Sequence, residues 1–552
     1  MRKQIVLVAS LLAGGLLAQA QTQTWDPDGN SISDGGAGTW DLATGNWMTG
    51  ATWVNGSDAF FGTGSYNVTL GTGVVVHDLS IAEGAGTVNI QSAVDDTALT
   101  VAGSSTWNLG GNTLHMVNTT PDTRLSMTSG ETLTVTGGGT FNTGERPNDG
   151  TTGLWDVNGA TLDFQADVLI GNQRSIGEFA LVKLGANSTF INQRNAHQTF
   201  NNNWEFGGGT ITFQNNWANN GNITVNGTVS GYADEFVIDM ATPTSGNRLV
   251  YLNNSAAYTA GTNRIAEAVV QLNADHGLSS SVLVLGGVSG KNSYLNMNGH
   301  DQSTRGISND IGNTREIRNN AAVTTSTLTV DVEAGNSFTY SANFNGAGVI
   351  NLVKTGDGTQ VIQRASGHTS ALDTLSVEGG ELVWNVGGSG NSGTVNVGIN
   401  GTLSGSGILN GATTVAGNLM PGNSPGTLTL NDALTLESTA TLTLEITGTD
   451  AGLYDVLLND GGDTLTAGGT LVLDTTGYTA ALNDTFTVFE NWGGFSGGFD
   501  GISGTDLGGG MSFDTSNLLV DGTLTVVPEP GTLGMLVAMG GGLIWIRRVF
   551  MV

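Results

Sequence analysis

The feature that most limits what this chain can fold into is the recurrence of very short alternating segments of Thr, Val, Leu and Ile, each closed by Gly or Asn. Thr97-Ala-Leu-Thr-Val101, Thr132-Leu-Thr-Val135, Thr161-Leu-Asp-Phe164, Thr210-Ile-Thr-Phe213, Asn222-Ile-Thr-Val225, Thr327-Leu-Thr-Val330 and Thr427-Leu-Thr-Leu430 are examples. Alternation at period two gives a strand with one buried and one wet face. The segments are too short and too many for helices, and turn residues separate them, often at roughly 8–12 residues. Composition agrees. Charged residues make up only 12% of the chain, too few to coat long helices, and 86 Gly stand against 8 Pro, which excludes collagen and Pro-rich linkers. The chain is therefore all-β.

Two all-β architectures compete, a string of sandwiches and a β-solenoid. The solenoid is preferred for three reasons. No unit of roughly 100 residues recurs with a landmark aromatic. Gly and Asn sit repeatedly at strand ends, where stacked coils turn. From about Tyr66 to Val526 no exposed polar break interrupts the theme. Coils of roughly 20–25 residues are expected. The formal net charge of −30 repels phosphate backbones, so nucleic acid is not a partner, and zero cysteines exclude disulfides, thiolate metal sites and cysteine nucleophiles.

Taken in order, residues 1–20 carry Arg2 and Lys3, an apolar run from Ile5 to Leu17, and Ala18-Gln19-Ala20. These are the three parts of a secretory signal, with cleavage expected after Ala20. Residues 21–65 hold Trp25, Trp40, Trp47, Trp53, Phe60 and Phe61. Aromatics beside Asp and Asn suit sugar rings, but a capping coil that closes the open end of a solenoid is preferred. Residues 66–430 form the β-helix and residues 431–526 longer β-rich coils, with Phe489, Trp492, Phe495 and Phe499 expected as a closing cap. The last segment, 527–552, reads Val-Pro528-Glu529-Pro530-Gly, then the apolar stretch Thr532 to Ile546, then Arg547-Arg548. A short apolar C-terminal helix is expected there, held transiently in a membrane, although 15 residues fall short of the ~20 that span one.

Two family resemblances sit on these motifs. Gly346-Ala-Gly-Val-Ile-Asn-Leu-Val-Lys354-Thr-Gly356-Asp-Gly358-Thr, followed by Leu375-Ser-Val-Glu-Gly-Gly380-Glu-Leu-Val, resembles the autotransporter-associated β-strand repeat over residues 346–385. Gly367-His-Thr-Ser replaces that family's usual polar loop, and Pro421-Gly-Asn-Ser-Pro-Gly426 is similar to a corner frequent late in such proteins. The resemblance implies a right-handed parallel β-helix exposed outside the cell. The C-terminal order of Pro528-Glu529-Pro530, apolar stretch and Arg547-Arg548 resembles the PEP-CTERM sorting signal. It implies an exosortase-type enzyme as partner and delivery to the cell surface, outer envelope or extracellular matrix.

Candidate chemistry is sparse. Arg305, Arg315 and Arg318 lie near His300, Asp301, Asp310 and Glu316, the densest basic group and the place where a polysaccharide lyase or hydrolase would work. Asp26-Pro-Asp28-Gly-Asn30 and Asn459-Asp460-Gly-Gly-Asp463 match fragments of calcium loops, without the full twelve-residue ligand series. His276, His300 and His368 show no metal-ligand spacing. The expected function is a non-enzymatic, exported structural or adhesive rod without a cofactor, calcium being the one ion left open. A polysaccharide lyase or hydrolase, or a glycan-binding module using the Trp25–Phe61 surface, is the alternative.

Overall fold

A computed structural model describes residues 21–94, 97–117, 123–127, 131–142, 161–164, 167–170, 181–192, 197–215, 222–240, 248–364, 372–388 and 391–529. They form a right-handed β-solenoid, the hand that parallel strand connections almost always take. Two compact units divide between Val182 and Lys183.

In the first unit, successive coils pair in parallel register. Gly36–Trp40 pairs with Tyr66–Leu70, which pairs with Thr87–Ser92, which pairs with Thr113–Val117. Register stacks like on like, so Val68, Ile90 and Met116 form one interior column. Tyr66, Val88, Leu114 and Phe141 form a second. All seven are buried. Alternation puts every second residue into these columns, as the Thr-Leu-Thr-Val segments require.

The second unit repeats the scheme. Leu328, Leu352, Leu375, Val395, Thr413, Leu434 and Leu465 stack coil upon coil. Register runs through the sequence boundary at 430/431, because Thr413–Val415 pairs with Leu434–Leu436. Coil length varies more than expected. Neighbours across coils are 16 residues apart at Thr402/Asn418 and 30 apart at Thr466/Ser496. Corners absorb this variation through side-chain ladders. The Asn226 amide donates to Asn201 (2.7 Å), Asn253 to Asn226 (2.6 Å), Asn273 to Asn253 (2.7 Å) and Asn298 to Asn273 (3.3 Å).

The repeat at residues 346–385 explains its own Lys-Thr-Gly. Lys354 points inward, stacked between Val330 and Val377. Its side chain is fully buried, and Nζ reaches the turn to donate to the carbonyls of Thr355 (2.6 Å), Gly356 (2.8 Å) and Gly379 (3.1 Å). Burial lowers its pKa to about 8. Gly356 has φ +70°, and a Cβ there would stand 2.4 Å from the Val332 carbonyl, so no other residue fits.

The last described strand departs from expectation. The described residues contain no α-helix, only the 3₁₀ turn Met48–Gly50, and no helix among them is long and apolar enough to cross a membrane. Val527 and Pro528, expected to open a tail, belong to the last strand, Thr523–Pro528, and lie opposite Ser512 and Met511. The Glu529 N–H donates to the Gly510 carbonyl (2.9 Å). The apolar C-terminal helix, the transmembrane assignment and transient membrane anchoring thus have no helix among the described residues to carry them, and the stretch 532–546 on which they were placed lies outside those residues. Ala18, Ala20, Pro530, Arg547 and Arg548 lie outside the described residues.

The closing cap also differs. It is an antiparallel sheet of Thr485–Thr487, Thr523–Pro528, Met511–Asp514 and Asp506–Gly508. Its aromatic centre is Phe486, with Tyr454, Tyr478 and Phe513 at 5.4–5.8 Å between ring centroids. Of the expected cluster, Phe489 is buried, whereas Trp492, Phe495 and Phe499 are half-exposed. Antiparallel strands serve here because they turn the last coil's open edge back on itself.

Replacing Lys354 by Met removes three charge-assisted contacts at this turn. Urea unfolding at pH 7 is expected to show a loss of about 1–3 kcal/mol; an unchanged midpoint would mean that the ammonium does not fasten the coils.

Candidate functional site

Five of the six aromatics at the start of the chain are closed to ligands, and Phe60 is half-exposed. Trp25, Trp40, Trp47, Trp53 and Phe61 are at most 3% exposed. Their rings pack edge to face, with centroids 5.1 Å apart for Trp25/Trp47 and 5.0 Å for Trp40/Trp53. This is a capping core for the first unit, not a sugar-stacking surface. Trp47→Ala should therefore cost about 3–5 kcal/mol in chemical unfolding, where an exposed binding residue would cost little.

The basic group around residues 300–318 is dispersed into separate fastenings. Arg305 pairs with Glu333 (2.9 Å). Arg318 pairs with Glu316 (2.5 Å) and lies 3.5 Å over the Tyr294 ring. Arg315 donates to the Asp310 carbonyl (2.5 Å), while the Asp310 carboxylate takes Arg264 (3.2 Å). His300 contacts Asp275 (3.2 Å), and Asp301 accepts the Thr327 N–H (2.6 Å). Each cation named already has an acceptor, so none is poised as a base. The Asn459 amide donates to the Asp432 carbonyl (3.1 Å) and its oxygen accepts the Asp463 N–H (2.8 Å), a corner bond. His276 has φ +54° in a turn, and His368 lies outside the described residues.

The structure instead assembles a groove that sequence reading did not find. Register places Val383 beside Ser404 and Ser404 beside Met420; Thr443 follows on the next coil, where Leu419 pairs with Leu442. This outward column floors a cavity of about 220 Å³, walled by Glu381, Glu445, Asp455 and the corner Gly422-Asn423-Ser424. Glu381 accepts the Ser404 hydroxyl (2.7 Å) and the Thr359 hydroxyl (3.3 Å). Met420 is 38% exposed, an apolar patch on the floor. No Lys or Arg is among the lining residues.

Asp455 ties the corner to the next coil. It is 2% exposed, and its two oxygens accept the N–H groups of Gly426 (2.7 Å) and Glu445 (2.8 Å). Burial, opposed by those two bonds and reinforced by the Glu445 charge, pushes its pKa up to about 6. The Pro-Gly-Asn-Ser-Pro-Gly corner was the one visible pointer to this place. Coil register brings Glu381 to the other two acids, whereas Glu445 and Asp455 lie on one local turn, where the Asp455 N–H donates to the Glu445 carbonyl (2.8 Å).

A second cluster, equally unsignalled, joins Asp58, His77 and Asp78 on neighbouring strands of the first unit. Among the described residues it is the one group of three His or acid side chains with ligand atoms within 4.8 Å of one another. His77 Nδ1 lies 2.9 Å from Asp58 Oδ1 and 3.6 Å from Asp78 Oδ1. Asp58 Oδ1 also accepts the Asp78 N–H (3.2 Å), and Asp78 Oδ1 accepts the Thr106 N–H (2.7 Å). Its polar atoms largely satisfy one another.

No protein-family model and no curated protein matches the chain. The autotransporter-repeat and PEP-CTERM resemblances therefore rest on the quoted residues alone.

The Asp455 carboxyl gives a pH signature. Its folded pKa of about 6 lies above the ordinary 3.8, so between those values the folded state binds more protons and stability falls as pH rises. Asp455→Asn does not titrate. Relative to that variant, the wild type should lose up to about 3 kcal/mol between pH 3.5 and 7 in urea titrations; a gap that stays constant or grows in the wild type's favour would contradict this.

Proposed function

We propose that this β-solenoid is a non-catalytic scaffold that holds a neutral, polyhydroxylated glycan in the groove over Val383, Ser404, Met420 and Thr443. The observation that carries this reading is the groove's pairing of an apolar floor with carboxylate walls. Met420 and Val383 suit the C–H face of a sugar ring, and Glu381 and Glu445 suit hydroxyl donors, which bind carboxylates strongly. With a net charge of −30 and no cation in the lining, uronate-containing chains are repelled. A regular solenoid suits an extended polymer, because coil stacking repeats similar outward residues along one direction.

Hydrolysis is the second reading, favoured by Asp455, which titrates near pH 6 beside Glu445, as a proton-donating acid and a charged partner would. Binding is placed first because both Asp455 oxygens are already held by backbone N–H groups. An exosortase-type partner acting at Pro528-Glu529-Pro530 is a separate proposal, resting on the residue pattern. It would need to unzip a strand whose end is paired with Met511–Asp514.

Calorimetric titration with neutral and uronate-containing oligosaccharides tests the reading. Binding is expected for a neutral series only, weakened at least tenfold in Met420→Ala and in Glu445→Gln. Full-strength binding in both variants, or none of any neutral glycan, would refute the groove. Product release that disappears in both Asp455→Asn and Glu445→Gln would put the hydrolase reading first.

A further inference from the structure

We infer that residues 26–34 form a calcium-binding loop that locks the first coil of the N-terminal cap. Sequence supplies oxygen donors in alternation: Asp26, Asp28 and Asn30, then the Ile32 carbonyl, then Asp34. Counted from Asp26, these are positions 1, 3, 5, 7 and 9, the order in which a loop wraps a calcium ion. Position 12, normally a bidentate Glu, is Ala37.

The structure adds what the sequence lacked. Asp26 is fully buried, and its Oδ1 has no hydrogen-bond partner. A buried carboxylate oxygen without a donor is costly, and a cation is one group that satisfies it. Its other oxygen, Oδ2, accepts the Ser31 N–H (2.9 Å), so the carboxylate lies inside the turn formed by residues 26–31. Ser31 is position 6, where such loops need a sharp bend and use Gly; here its φ is +65°. Behind the loop, the Asp26 N–H donates to the Asn46 carbonyl (3.0 Å) and the Trp25 N–H to the Phe60 carbonyl (2.9 Å), which fixes the first ligand to the aromatic cap. Asp28, Asn30 and Asp34 are exposed. Asp28 accepts from Asn30, and Asn30 Oδ1 from the Ile32 N–H (2.7 Å), bonds that an ion would replace.

The donor set is all oxygen, in an irregular loop, with no nitrogen or sulfur. That favours Ca²⁺ over transition metals, and over Mg²⁺, which demands rigid octahedral geometry. Lacking the bidentate ligand, the loop belongs at the weak end of such sites, with Kd on the order of 10⁻⁴–10⁻³ M. The Asp58–His77–Asp78 cluster is the competing address for a divalent ion, but Oδ1 of each of its carboxylates already has a partner, and it offers an imidazole nitrogen where calcium takes oxygen.

The test uses the full chain, stripped with chelator and titrated with CaCl₂ by calorimetry, with melting followed by tryptophan fluorescence. One Ca²⁺ per chain is expected, with a melting temperature that rises with Ca²⁺ and not with equal Mg²⁺. Asp28→Ala and Asp34→Ala, both at exposed positions, should each weaken binding at least tenfold, as should Asp26→Asn if it folds. His77→Ala should leave binding unchanged. No binding up to about 10 mM Ca²⁺, full binding in Asp28→Ala and Asp34→Ala, or loss in His77→Ala alone would overturn the assignment.

Discussion

In-register stacking of like side chains between parallel coils is the interaction on which everything else in this molecule depends. A single coil of short strands cannot bury its apolar face alone. Stacked, the Leu328–Leu465 column excludes water on the inside, and the Asn201–Asn298 ladder satisfies amides at the corner. Each coil needs only a Thr-Leu-Thr-Val-like strand in the right place, which is why a coil of 16 residues and one of 30 coexist. The interior sets register; the loops between strands vary in length.

This division explains where the charges went. The chain has few cations, and several act as fasteners between coils. Lys354 is buried in an aliphatic column and spends its ammonium on turn carbonyls. Arg264 bridges Glu235 and Asp310, and Lys291 reaches Glu267 (3.2 Å). Glu381 and Glu445 line the groove, whereas Asp26 and Asp455 are buried and held by backbone N–H groups. A strongly acidic surface on a neutral, threonine-rich frame follows from that arrangement.

The architecture was legible in sequence because period-two alternation reports burial directly, as at Thr327-Leu-Thr-Val330, where Leu328 and Val330 are fully buried. The N-terminal cap was legible because large aromatics crowded into one coil have few other uses. The groove was not. Glu381 meets Glu445 and Asp455 through register, and variable coil lengths hide register from any fixed spacing. The closing cap was misplaced because Phe489–Phe499 is the denser aromatic run, yet the antiparallel return of Thr523–Pro528 puts Phe486 at the centre. Val527 and Pro528 were assigned to a tail because their residue pattern stands out from the rest, while their strand pairing is non-local.

Cysteine pairing tests the stacking register most directly, since the natural chain has no cysteine. Thr327 and Asn351 face outward directly opposite one another on adjacent coils, whereas Val353 lies two residues further on, opposite Thr329. Adjacent parallel strands stand about 4.8 Å apart, within disulfide reach. Oxidation should cross-link the Thr327→Cys/Asn351→Cys variant and leave Thr327→Cys/Val353→Cys reduced. Equal cross-linking of both pairs, or of the second alone, would contradict the register on which the solenoid and its groove are built.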